Sequence, residues 1–200
     1  DEQYWPILKT VLEHLDYLYP HELKDVKVDE NIKKLLEEMK MSRPVDLLIA
    51  YRVIKMLVTP FDKQPAFKYG IIDKDGNVLK KYKTITGSQE KRSYTILHRF
   101  VFNLKRILSK VGIRGKLGSF AVAAALLLKE DKRYAIHKET IESAVITYLK
   151  DNNLYEEILN ESREIPEVYT DDKLFCTCFG VDVYERDGEL RSEFEYAKTL

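Results

Sequence analysis

At 200 residues the chain is long enough for one ordinary domain with a real core, or for a compact domain with a smaller appendage. A hydrophobic fraction of 44% beside 33% charged residues excludes a disordered chain, and a formal net charge of zero excludes a uniformly basic nucleic-acid binder. That zero is a sum of opposed regions: residues 79–118 hold eleven Lys or Arg against the single acid Glu90, leaving 22 basic and 32 acidic residues elsewhere.

Two segments precede the central helix. WPILKTVLEHLDYLY, from Trp5, places Ile7, Val11, Leu15 and Leu18 at helical spacing, with Pro6 in the first turn and Pro20 as the stop. ENIKKLLEEMK lines Ile32, Leu35, Leu36 and Met39 along one face of a second helix. Ser42-Arg43-Pro44 then opens a third, VDLLIAYRVIKMLVT, apolar on most sides and therefore expected at the centre. No signal-peptide pattern is read at the start, and the first residue, Asp1 in place of Met, suits a processed product or part of a longer polypeptide.

Pro60 and Pro65 oppose regular structure in TPFDKQPAFKYG. IIDKDGNVL reads as two short strands about an Asp75-Gly76-Asn77 turn, a small hairpin over about 71–80. Thr86 or Ser88 is placed to cap one long helix running to about Val111. Gly112, Gly115 and Gly118 then punctuate a basic loop, and Phe120–Glu130 forms an Ala- and Leu-rich helix that sits close to its neighbours.

HKETIESAVITYLKDN turns Ile141, Val145 and Leu149 inward and stops at Asn152-Asn153. LYEEILNES is a shorter helix, and LFCTCFGVDVYERDGELRSEFEY a hairpin marked by Asp187-Gly188. The sum is a mainly α fold, a compact multi-helix domain with one or two small β-hairpins. Residues 1–150 form the helical domain and 151–200 an acidic C-terminal extension; beyond residue 128, ten basic residues face eighteen acidic ones.

Constellations that would carry chemistry are sparse. His14, His21, His98 and His137 are scattered without a paired nucleophile, and Ser88-Gln89-Glu90-Lys91 lacks the companion motifs of an acyl-transfer enzyme. Asp73-Lys74-Asp75-Gly76-Asn77 has its glycine two places too early for a calcium loop. Cys176 and Cys178 lack two further zinc ligands nearby, and their spacing is too tight for an ordinary disulfide within a strand. No catalytic residue, metal or cofactor is expected. The longest apolar run, Phe120–Leu128, is too short for a membrane span.

The strongest signal is a basic stripe. On a wheel of about 100° per residue, Arg99, Asn103, Arg106 and Lys110 fall within about 40° of Arg92, while Leu97, Phe100, Val101, Leu104, Ile107, Leu108 and Val111 fill the sector from about 60° to 180°. With Arg114 and Lys116 beyond it and Lys80, Lys81 and Lys83 before it, the stripe is a candidate surface for nucleic acid or another anionic partner. A solvated face that pairs with the chain's own acidic third is the plainer explanation.

YRVIKMLVTPFDKQPAFKYGIIDKDGNVLKK, SYTILHRFVFNLKRILSKVG and GSFAVAAALLLKE, within residues 50–130, together resemble a family of tailed-bacteriophage proteins of the virion or head-associated type. The resemblance is carried by Thr59-Pro60-Phe61, Ala66–Asp73, Asn103–Arg106 and Ala121–Leu128. Family members often have Pro-Gly-Gly-Lys after the basic helix, where this chain has Val111-Gly112-Ile113-Arg114-Gly115-Lys116.

The resemblance implies a viral origin and a virion or head-associated role; with no catalytic constellation in the sequence, the expectation is a non-enzymatic structural or assembly protein of the virion. Such a protein binds other virion subunits and packaged DNA as part of a larger assembly, and passes through the host cytoplasm before assembly. The alternative is a cytoplasmic phage accessory protein that binds nucleic acid non-specifically through the stripe.

Overall fold

A computed structural model describes residues 30–39, 44–110, 116–162 and 170–197. The fold is mainly α with a small antiparallel sheet, as the periodicities imply. Helix α1 is Glu30–Glu38 and α2 is Pro44–Val58. Short α3, Pro65–Lys68, and α4, Ser88–Ser93, lead to α5, Ile96–Ser109. Then come α6, Lys116–Glu130, α7, Lys138–Asp151, and α8, Tyr155–Ser162. Strands β1, Lys173–Cys178, β2, Val181–Arg186, and β3, Glu189–Ser192, precede α9, Glu193–Ala197.

Helix α2 is central because it is apolar on several sides. Leu47, Ala50, Tyr51, Val53, Ile54 and Leu57 are all buried, against α7 on one flank and α5 and α1 on others. Ile141, Val145 and Leu149 of α7 meet it at helical spacing. At one end of this contact Asp46, buried on α2, lies 2.9 Å from His137 Nδ1, just before α7 begins.

Helix α6 works as a partition. Its small residues Ala121, Ala123, Ala124 and Ala125 are buried, and it packs on α5 on one side and on all three strands on another. The helix begins at Lys116 rather than Phe120, so Gly118 lies inside it and not in a loop. A Cβ there would stand 2.7 Å from Ser192 Oγ and 3.2 Å from the Phe194 ring. The glycine is what lets the helix backbone approach the end of the sheet.

The C-terminal segment forms two hairpins, in strand order β1-β2-β3, where one was expected. The second turn is the Asp187-Gly188 pair seen in the sequence; the first is Phe179-Gly180, with φ of 52° and 73°. Both central residues have positive φ, the geometry that matches strand twist. Cys178, Val181, Val183 and Phe194 join the same hydrophobic core as the helices.

Four further expectations are corrected. The long helix is broken: Tyr94 leaves α4 with φ −140° and ψ 48°, and Thr95 restarts the chain as N-cap of α5. Gly87 is the N-cap of α4 and no side chain caps it, so neither Thr86 nor Ser88 does that work. The 71–80 hairpin is reduced to a single bridge between Ile72 and Val78. The proline-containing stretch is more regular than expected, with a 3-10 turn at Phe61–Lys63 and Pro65 at the first position of α3. The Trp5 helix lies outside the described residues.

Candidate anion-binding surface

The break at Tyr94 removes Arg92 from the helix that carries Arg99 and Arg106, so the five-residue stripe does not exist as one face. Arg92 is exposed on α4. On α5 the stripe is hemmed in on a side that the wheel left open, because Phe102 and His98 are buried as fully as the expected core residues Leu97, Phe100, Val101 and Leu104. Around Phe102 stand Phe61, Tyr94 and His98, with ring centroids 5.6, 6.2 and 5.8 Å away.

Several of the basic side chains are spent inside the fold. Arg99 Nη2 donates to Glu130 Oε2 at 2.9 Å, and its guanidinium lies 5.0 Å from the Tyr82 ring centroid. Its Nε is buried with no hydrogen-bond partner, which fits a guanidinium pressed on an aromatic face more than one offered to solvent. Arg106 Nη1 donates to the Gly76 carbonyl at 2.7 Å and Nη2 to Asn103 Oδ1 at 3.3 Å.

Lys80 Nζ bridges the Tyr69 carbonyl, at 3.0 Å, and Glu90 Oε1, at 3.2 Å. Lys116 Nζ reaches the Leu108 carbonyl at 3.3 Å, near the C-terminal end of α5. Lys81, Lys83 and Lys110 are exposed and have no ion-pair partner among the described residues. Arg114, like Gly112 and Gly115, lies outside the described residues.

Lys105, which the sequence reading passed over, is the most constrained cation of α5. Its ammonium donates to the Met56 carbonyl at 3.1 Å and to the Thr59 carbonyl, and stands 4.6 Å from the Phe61 ring centroid. Gln64, 3% exposed, donates to the same two carbonyls at 3.1 and 2.9 Å. Those carbonyls end α2, where a positive charge meets the negative end of the helix. Burial still pulls the Lys105 pKa down to about 8.

The turn opposite is equally tied. Asp73 Oδ1 accepts from the backbone N–H groups of Asp75 and Asn77 at 2.9 and 2.8 Å, and Oδ2 accepts from Asn77 Nδ2 at 2.9 Å. The Asn77 side chain, followed by backbone donors of the turn, holds the Asp73 carboxyl below its ordinary range. Gly76 has φ +80°, and a Cβ there would fall 2.4 Å from the edge of the Phe61 ring. Gly76→Ala should therefore cost about 1–3 kcal/mol, read as a lower urea midpoint with unchanged slope. A neutral substitution would mean that Phe61 moves freely.

The corner, the turn and α5 thus form one interlock: Lys105 holds the Thr59-Pro60-Phe61 corner, and Arg106 holds the Asp73–Asn77 turn. The cluster supplies little chemistry. Burial takes the His98 pKa to about 3, and Thr95 Oγ1 sits 2.8 Å from its Nδ1. Among the described residues, no group of three His, Cys, Asp or Glu is arranged to hold a metal, and no helix is long and apolar enough to cross a membrane.

Five large apolar side chains stand exposed over residues 67–82, among exposed lysines. Phe67, Tyr69, Val78, Leu79 and Tyr82 are all at least 36% exposed, Leu79 reaching 63%. They lie on a segment folded back on itself, with Leu79 and Lys80 donating backbone N–H groups to the Ile71 carbonyl. Lys68, Lys81 and Lys83 are exposed within the same segment. Comparison with protein-family models, curated proteins and solved structures finds no match to the chain.

Proposed function

We propose that the chain is a non-enzymatic structural or assembly protein of a bacteriophage virion, joined to other virion subunits through the surface of residues 67–83. One observation carries the association: five exposed large apolar side chains lie within residues 67–82, a segment whose Gly76 turn is held by Arg106. An apolar patch with a polar rim is the usual mark of a protein interface. The viral setting rests on the resemblance of residues 50–130.

Binding of packaged DNA, and the rival role of a cytoplasmic nucleic-acid-binding accessory protein, have less support. They call for an exposed stripe, whereas Arg99 and Lys80 face the chain's own Glu130 and Glu90 and Arg106 faces a carbonyl. Of the stripe's candidates among the described residues, Arg92, Lys81, Lys83 and Lys110 are exposed.

Mass spectrometry of purified particles tests the assignment. The wild-type chain should be present at a fixed copy number, and Leu79→Glu should be lost from particles while keeping its circular dichroism spectrum and melting midpoint. A wild-type chain abundant in infected cells but missing from particles overturns the virion reading. Salt-sensitive DNA affinity that falls with Lys81→Ala and Lys83→Ala would put the nucleic-acid reading in its place.

A further inference from the structure

The interlock leaves unexplained a pair of thiols on the other side of α6. Cys176 and Cys178 alternate along β1 and so point to one face of the strand, with their Sγ atoms 3.5 Å apart. Cys178 is fully buried in the core, whereas Cys176 is half-buried. Just before them the ladder is irregular. Leu174 pairs with Tyr184 and Cys176 with Val183, so Phe175 is an extra residue in a bulge. Bulges sharpen local twist and release one side of the ladder from strict register.

The surroundings make the two sulfurs unequal. A hydrogen bond with Cys178 holds the Cys176 thiol below its ordinary pKa, burial opposes this, Lys138 adds to the lowering, and Glu142 and Asp182 oppose it. The same contact, together with burial, raises Cys178. Lys138 and Glu142 pair with each other at 3.3 Å, and Glu142 also accepts from the Phe179 N–H of the adjoining turn at 3.1 Å. Cys176 is the more accessible sulfur, with its thiol held below the ordinary range; Cys178 is the sheltered one, with its thiol raised.

We propose that Cys176 and Cys178 form a reversible redox pair, in which Cys176 is the sulfur attacked by peroxide-class oxidants and Cys178 the thiol that resolves it. The Cys176 thiolate attacks one peroxide oxygen; an S–O bond forms, the O–O bond breaks and hydroxide leaves, giving a sulfenic acid. The Cys178 sulfur then attacks Cys176; the S–S bond forms, the S–O bond breaks, and the departing hydroxide leaves as water with the Cys178 proton. In total the two thiols give up two electrons and two protons, and peroxide becomes two waters. A dithiol reductant reverses the step by exchange.

Chain geometry accounts for the reversibility. Two residues along a strand span about 6.6 Å, near the upper limit of about 6.8 Å between the Cα atoms of a disulfide. A bridge there is attainable but strained, and strained bridges are the readily reduced ones.

The test uses the full folded chain, reduced, freed of reductant and treated with hydrogen peroxide. The peptide holding both cysteines should lose two hydrogens, resist alkylation at both sulfurs, and regain two alkylatable thiols with dithiothreitol. Cys178→Ser should stop at a Cys176 sulfenic acid that dimedone captures, and Cys176→Ser should leave Cys178 unmodified at the same dose. The proposal is overturned if both thiols of the wild type stay alkylatable, if the wild type yields as much dimedone adduct as Cys178→Ser, or if the bridge forms between chains. The wild-type measurement needs no variant to fold.

Discussion

Phe102→Ala should destabilise the protein by about 3–5 kcal/mol, the range for removing a fully buried aromatic side chain. Phe102 is 0% exposed and touches the corner through Phe61, the helix break through Tyr94, and its own helix through His98. The vacated space is bounded by rings on separate elements that cannot all close over it, which puts the loss toward the upper part of the range. A urea titration showing a midpoint shift worth less than about 1 kcal/mol would mean that the corner collapses onto α5 without it.

Lys105→Met should cost about 1–2 kcal/mol at neutral pH, from the loss of two charge-assisted bonds to the α2 carbonyls, and more at higher pH. Gln64 continues to donate to both carbonyls, and the buried stem is replaced by one of similar shape, which keeps the loss from growing larger. The pH dependence gives a sharper check. The folded pKa of about 8 lies below the ordinary lysine value of 10.5, so in that interval the unfolded chain holds a proton that the folded chain has released. The pH-dependent part of the Lys105 contribution therefore rises with pH from about 8 to 10.5, on top of the hydrogen-bond contribution present at neutral pH, and is lost as pH falls through about 8. The gap between wild type and Lys105→Met should widen across that window; a constant gap would show that the amine stays charged and solvated.

The helices with uninterrupted periodicity were legible in the sequence. Ile32, Leu35 and Leu36 of α1 and Ile141, Val145 and Leu149 of α7 are buried where their spacing puts them. The end of α4 was not, because Arg92-Ser93-Tyr94-Thr95 contains neither Gly nor Pro, and only tertiary packing of Tyr94, 4% exposed, explains the change of direction there. The first sheet turn was missed for a related reason: Phe179 adopts φ 52° without the Asn or Asp that usually announces it.

Burial of Phe102 escaped the wheel because a wheel assigns one apolar face, and the other flank of α5 is covered by Phe61, 41 positions away, together with Tyr94 from beyond the helix break. The fate of the basic stripe was unreadable on the same grounds. Glu130 lies 31 positions from Arg99, and Gly76 lies 30 from Arg106. Spacing identifies which charges share a helix face but not which distant carbonyl or carboxylate will meet them.

Anchoring of residues 59–77 from behind also bears on how the outer surface meets a partner. Lys105 and Arg106, neighbours in sequence, pull on the α2 terminus and on the Gly76 turn at once, and Phe61 is held between them. The exposed side chains of Phe67, Tyr69 and Leu79 therefore sit on a preorganised platform, and association forfeits little backbone entropy. On the proposed assembly role, hydrogen exchange at Ile71 and Leu79 should be as slow without a partner as with one, the signature of a preformed surface and not of a loop that folds on contact.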